Sequence, residues 1–286
     1  MSRCQSIFAI LLLLVIFIGC ERRSEVSIRG SETAVIGGSN ADIREFPFLV
    51  NIWQNSPKED FVDHLCGGSL IAKKWILTAA HCMLEDATET TVKTVNPAEL
   101  NIIFGSTLRS GDGGRMVKAR SVIVHPDFSW PHHDVALIEL AEEVTDIKPI
   151  QLNATDIGAT STSLMAIVAG WGLIDAAGKV DGSTLQKISL PLISRDECQA
   201  DNFPIKHGWT ISSDIICVRT SQNQKASCPG DSGGPLFLEN SQGFVQVGIV
   251  SWGSACANNR FKFGTNAEGY ADVSDALRWI QRTIGN

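Results

Sequence analysis

Three short strings carry residue types from which a hydrolytic site can be built. Leu77-Thr78-Ala79-Ala80-His81-Cys82 holds a histidine, and His133-Asp134-Val135-Ala136-Leu137-Ile138 opens an apolar run with an aspartate. Cys228-Pro229-Gly230-Asp231-Ser232-Gly233-Gly234-Pro235 presents a serine among glycines. A serine hydroxyl is a weak nucleophile at neutral pH and needs a base beside it. An imidazole can be that base, and a carboxylate on its other nitrogen fixes the tautomer and stabilises the imidazolium. Each string alone has a plainer reading, as a structural histidine, a turn aspartate and a glycine-rich loop. Only a fold that brings the three together gives them a joint chemistry.

The elements around them read as all-β. Short β-rich runs at 48–52, 100–104, 121–124, 135–140, 164–169 and 244–251 are punctuated by Gly, Pro, Asn and Asp. This spacing predicts a sandwich or barrels. The tail is the exception: Ser274 can cap a helix in which Leu277, Ile280 and Ile284 share one face. Residues 88–97 and 110–114 read as exposed loops, and there is no tandem repeat.

Composition narrows the function classes. The chain has 286 residues, 44% hydrophobic and 19% charged, which suits one large all-β unit or two small domains. A formal net charge of -7, with no Lys/Arg-rich run, makes nucleic acid and acidic membranes poor partners. Arg3 followed by the apolar stretch 7–18 fits a secretory signal over residues 1–20, the other reading being a short anchor. The polar stretch 21–34 reads as a pro-segment or linker. Beyond Cys4 and Cys20 there are six cysteines: Cys66, Cys82, Cys198, Cys217, Cys228 and Cys256. An even set in an exported chain points to disulfides, and the lack of any C-x-x-C pair argues against zinc. The adjacent His132 and His133 are read as solvated rather than as metal ligands. Asn153-Ala154-Thr155 is a glycosylation sequon, with meaning only in a eukaryotic secretory pathway.

In the order His, Asp, Ser, the three strings resemble the chymotrypsin-like serine proteases, and the resemblance runs from residue 35 to the C-terminus. It implies two Greek-key antiparallel β-barrels, over about 45–150 and 160–273, with a helix over about 274–284. It implies a catalytic triad of His81, Asp134 and Ser232, with the N–H groups of Gly230 and Ser232 forming the oxyanion hole. It pairs Cys66 with Cys82, Cys198 with Cys217 and Cys228 with Cys256. Ser251, Trp252 and Gly253 look like the family's substrate-pairing edge, where an extended peptide adds as a strand. Pro229 replaces a longer side chain common there. The implied cofactor is none.

The same resemblance implies activation by cleavage. Val35-Ile36-Gly37-Gly38 looks like the family's mature N-terminus, whose new α-amine pairs with an aspartate, here Asp231. His64 matches a histidine that holds that aspartate in the precursor. Ala34 departs from the basic residue that trypsin-activated relatives carry. The family's calcium loop is not apparent, since 105–115 offers one carboxylate, Asp112. The stretch 256–270 is longer than usual. Phe17-Ile18-Gly19-Cys20 resembles a bacterial lipoprotein processing site, which would tether the precursor through Cys20. The other reading has Cys20 removed with the pro-segment.

For specificity, Ala226 stands at the pocket floor, where trypsin-like relatives place an aspartate. Ser227 follows it. Counting back from Tyr270 and Val273 brings Glu268 to a position from which a second side chain enters the pocket, and the pair Ala226 and Glu268 is similar to that in cathepsin G. Cleavage after large apolar residues, and after Lys, is the expectation. The alternative puts Glu268 in solvent. The expected partners are protein or peptide substrates, an activating protease and protein inhibitors, acting on a secreted monomer. A catalytically silent, binding homologue is the competing class; such proteins usually lose a triad residue, and none is lost here.

Overall fold

The structure, a computed structural model, describes residues 38–55, 62–88, 91–160, 164–173, 183–220, 226–253 and 267–285. The chain divides into two units, Met1–Ser31 and Glu32–Asn286, and all described residues lie in the second. The expected signal, the pro-segment, Cys20, Val35, Cys256 and most of the stretch 256–270 lie outside the described residues.

Twelve strands build two closed antiparallel rings. The first uses β1 (Leu49–Asn55), β2 (Val62–Ala72), β3 (Trp75–Thr78), β4 (Leu100–Phe104), β5 (Arg115–Val124) and β6 (Ala136–Leu140), in the order β1-β2-β3-β6-β5-β4. The second uses β7 (Met165–Gly170), β8 (Gln186–Ile193), β9 (Ile215–Arg219), β10 (Pro235–Asn240), β11 (Gly243–Trp252) and β12 (Ala267–Asp272). Its order is β8-β7-β10-β11-β12-β9, and β8 pairs with β9 to close it. Closure removes the free edges that a sheet otherwise exposes.

The strands follow a period of two. In β8, Gln186, Ile188, Leu190 and Leu192 are buried and alternate with half-buried Lys187, Ser189 and Pro191. In β5, Val117 and Ala119 are buried between exposed Met116, Lys118 and Arg120. Val50, Ile52, Leu70, Ile76 and Leu137 fill the first barrel, while Val168, Leu190, Ile216, Leu236 and Val247 fill the second. Each such side chain contributes about 1.5–3 kcal/mol by leaving water. A third cluster, joined to the first through Ile71, has Phe46, Phe48, Phe237 and Phe244 meeting edge-on or tilted.

Two sequence expectations need correction. The helix over Val273–Ile284 is capped by Asp272, whose carboxylate accepts from Ser274 N–H at 2.8 Å, not by Ser274. Its buried face is Val273, Ala276 and Ile280, and these join the core of the first barrel. Leu277, at the edge of that stripe, is only half-buried. Part of the expected loop 88–97 is instead a hairpin of Leu84–Thr88 and Thr91–Thr94. The β-branched Thr91, Val92 and Thr94 suit a strand.

Candidate active site

Asp134 closes the turn before β6 and has no exposed surface. Its Oδ1 accepts from the backbone N–H of His81 at 2.8 Å. Its Oδ2 lies 2.7 Å from His81 Nδ1 and accepts from Ser251 Oγ at 2.6 Å. Both rings of strands meet here, since His81 follows β3 and Ser251 lies in β11. With Nδ1–H donating a hydrogen bond to the Asp134 carboxylate, the Nε2 of His81 carries a free lone pair. His81 opens a single 3-10 turn, His81–Met83, and the Cys66–Cys82 disulfide ties that turn to β2.

Ser232 lines a cleft of about 300 Å³ together with Ser227, Cys228, Pro229, Ser251, Trp252 and Gly253. Its loop is braced from both barrels: Gly67 N–H bonds the Ser232 carbonyl at 2.8 Å, and Gly233 N–H bonds Val250 O at 2.9 Å. Gly233 has φ +76°, and a Cβ there would come within 2.2 Å of Thr78 Oγ1. Gly230, with φ +97°, adopts a conformation that other residues rarely reach. The string around the serine is thus glycine-rich because two barrels converge on it.

Asp231 turns away from the cleft and is buried. It accepts from Gly172 N–H and Cys228 N–H, each at 2.9 Å. Burial pushes its carboxyl up to about 6, against the pull of those two bonds. His64 sits close by, with Nδ1 2.5 Å from Asn51 Oδ1 and Nε2 2.6 Å from the Gly230 carbonyl. In this arrangement His64 holds the Gly230 carbonyl rather than the Asp231 carboxylate. The reason is steric: Asp231 points at Gly170 and Gly172, where a Cβ would lie 2.3 and 2.6 Å from the carboxyl group.

Behind the cleft, Ala226 and Glu268 have no exposed surface. Glu268 is on β12, so it lies in the protein and not in solvent. Its Oε2 accepts from Ser227 N–H (3.1 Å), Ser227 Oγ (2.9 Å) and Tyr270 OH (3.2 Å). A Cβ on Gly253 would lie 3.2 Å from its Oε1. Burial pushes the Glu268 carboxyl up to about 7. Gly269 makes room for the wall: a Cβ there would come within 2.0 Å of Trp252 Cε2.

Cys198–Cys217 joins a short helix, Arg195–Gln199, to β9. Cys228 is disulfide-bonded, and its expected partner Cys256 lies outside the described residues. Cys66, His81 and Cys82 are the one cluster of metal-type ligands among the described residues. The disulfide between its two cysteines removes the thiolates that a metal would need.

Sequence reasoning missed two parts of the site. Trp130, Phe203 and Trp209 form a wall of the same cleft with Trp252. Trp130 meets the His81 ring edge-on at 5.3 Å, and Trp209 meets Trp252 at 5.4 Å. Tryptophans in polar loops were the available signal. The second part is Asp214, which accepts from His133 N–H at 2.9 Å and pairs with His132 Nδ1 at 3.1 Å. His133 Nδ1 lies 3.6 Å from Asp275. Both histidines are half-buried and lie beside carboxylates, so they are tied into the fold while still touching solvent.

The Trypsin family model matches residues 35–280. Trypsin-1 of Astacus astacus is 31% identical over 254 residues, which cover 86% of this chain and 98% of that protein. A trypsin of Simulium vittatum is 32% identical over 231 residues, covering 79% of this chain and 85% of that protein. With two closed β-barrels and a match over most of its length, the chain belongs to the chymotrypsin/trypsin family of serine proteases and is a serine endopeptidase.

Proposed function

We propose that this endopeptidase cuts protein chains through a triad of His81, Asp134 and Ser232. The observation that carries the reading is the buried Asp134 carboxylate on His81 Nδ1, beside a cleft lined by Ser232. His81 Nε2 takes the Ser232 proton as Oγ attacks the scissile carbonyl, then gives it to the leaving amine. Asp134 holds the imidazolium meanwhile. The N–H groups of Gly230 and Ser232 receive the oxyanion. Water then hydrolyses the acyl-enzyme with His81 again as base. Stoichiometric labelling of Ser232 by an organophosphonate tests the reading; a folded, mature protein that takes up no label would sink it, and would favour a silent homologue instead.

The protein is made as an exported precursor and matures at Val35. Its new α-amine pairs with Asp231, a buried carboxylate for which the described residues supply backbone donors but no cation. Ala34 calls for an activating protease that accepts small residues, so trypsin activates the precursor poorly. N-terminal sequencing of the active enzyme checks this, and an active form beginning at Gly30 would count against the insertion. Protein inhibitors and a monomeric state complete the reading. Among the described residues no helix is long and apolar enough to cross a membrane.

The relatives' name does not extend to the pocket. Ala226 gives an apolar floor, and Glu268 stands behind it. The pocket takes large apolar side chains and the ammonium of Lys. Substrates that differ only in the residue before the scissile bond distinguish this from a plain apolar pocket: inert Lys substrates would exclude Glu268 from recognition.

A further inference from the structure

Glu268 is fully buried, yet its two oxygens stand in unlike settings. Oε2 accepts three hydrogen bonds, from Ser227 N–H, Ser227 Oγ and Tyr270 OH. Oε1 is buried without a hydrogen-bond partner among the described residues. It packs against Gly253, one of the residues lining the cleft: a Cβ there would lie 3.2 Å from Oε1. A bare carboxylate oxygen in a closed site costs several kcal/mol when charged, and much less when the group is protonated.

The surroundings push the same way. From the 226–231 segment Glu268 is faced by Ser227 and by Asp231, whose like charge disfavours ionisation in the uncleaved chain and is offset once the α-amine pairs with it. From its own strand it is faced by Tyr270, whose hydroxyl burial keeps neutral. From β9 its cross-strand partner is the apolar Val218, and Arg219 pairs with Ala267, on the opposite face of the sheet by strand alternation. From β11 come Trp252 and then Gly253. No cation pairs with Glu268 among the described residues.

We propose that Glu268 makes the specificity of this endopeptidase depend on pH: protonated, it leaves a neutral pocket for Phe, Tyr or Leu, and ionised, it receives the ammonium of Lys on Oε1. This rests on the reading of Glu268 as a pocket residue. A Lys ammonium over a protonated carboxyl would be an unpaired buried charge, and an apolar side chain over a carboxylate would leave that charge unpaired. Burial brings the group to about 7, so both forms are populated near neutral pH.

The test is the ratio of kcat/KM for a Lys substrate to that for the matched Phe substrate, from pH 5.5 to 8.5, on mature enzyme. His81 and the oxyanion hole serve both substrates, so their ionisation cancels in the ratio, and kcat/KM reports the free enzyme. With the ionised form taking Lys and the protonated form taking Phe, the ratio should rise by up to about a thousandfold across that range. In Glu268→Gln it should be flat. A ratio flat in the wild type but altered by Glu268→Gln overturns the pH switch and leaves the pocket reading standing. Lys substrates inert at every pH overturn both. An equal rise in wild type and Glu268→Gln assigns the dependence to another group and overturns the proposal.

Discussion

Asp134 and Glu268 are carboxylates with no exposed surface, both reached from the end of β11, yet they are held in opposite ways. Asp134 has a donor on each oxygen: the His81 backbone on one, and the His81 ring with Ser251 on the other. Among the described residues, Glu268 has three donors crowded on one oxygen and none on the other. Hydrogen bonds to the charged form favour it, and burial without them favours the neutral form. In the proposed triad, Asp134 is thus held through both oxygens before any substrate arrives. In the proposed pocket, Glu268 would stay incomplete until a ligand completes it. Preorganised charge serves a transition state, whereas an unsatisfied group serves discrimination.

The comparison is tested most severely by neutralising each carboxylate in turn. Asp134→Asn should lower kcat by about 10⁴ with the fold intact, the loss this kind of triad shows when its carboxylate becomes an amide. Glu268→Gln should act mainly on the choice of substrate and far less on turnover of the best one. Similar kcat losses in the two variants would erase the distinction. Asp231→Asn is expected to fall next, with a loss of about 10³ in mature enzyme, the scale of losing oxyanion-hole donors. Active-site titration separates a slow enzyme from a small active fraction.

Parts of this arrangement were legible in the sequence because they are local. The strings around His81, Asp134 and Ser232 each keep their chemistry within a few residues, and the glycines beside Ser232 mark a close approach. Glu268 could be counted back from Tyr270 because both lie on one strand, where alternation is regular. The rest depends on partners far apart along the chain. Asp214 meets His133 across 81 residues, and nothing local in either segment signals it. His64 shows the same limit: its neighbourhood was readable, but whether it holds the carboxylate or the carbonyl turns on the space left by Gly170 and Gly172. Asp272 and Ser274 are both good caps, and only the true first turn decides between them.

The pocket side of the comparison has a signature in stability as well. The folded Glu268 carboxyl sits near 7, above its ordinary 4.5. The stabilisation linked to its proton is complete below 4.5 and is lost as pH rises through 7. The shift corresponds to something on the order of 3 kcal/mol. Glu268→Gln should therefore flatten the decline in stability between pH 4.5 and 7.5, measured by denaturant midpoints on Ser232→Ala protein to prevent autolysis. A decline of equal size in the variant would mean that the group is ionised without cost in the folded state.

The smallest effect is expected behind the triad, where the sign reverses. Burial alone would raise the Asp214 carboxyl, but Ser212 Oγ, His133 N–H and His132 hold it below its ordinary value. Its stabilisation is present above 3.8 and is lost as pH falls through the lower folded value. Asp214→Asn keeps the shape but weakens the charge-assisted bonds, at a cost of about 1–2 kcal/mol at neutral pH that shrinks in acid. The residue grips the backbone of His133, next to Asp134, from the other barrel. Its loss should therefore lower kcat several-fold at unchanged KM, because the substrate cleft is left as it was and only the seating of Asp134 is loosened. An unchanged kcat alongside the lost stability would reduce Asp214 to a clamp between the barrels with no bearing on the chemistry.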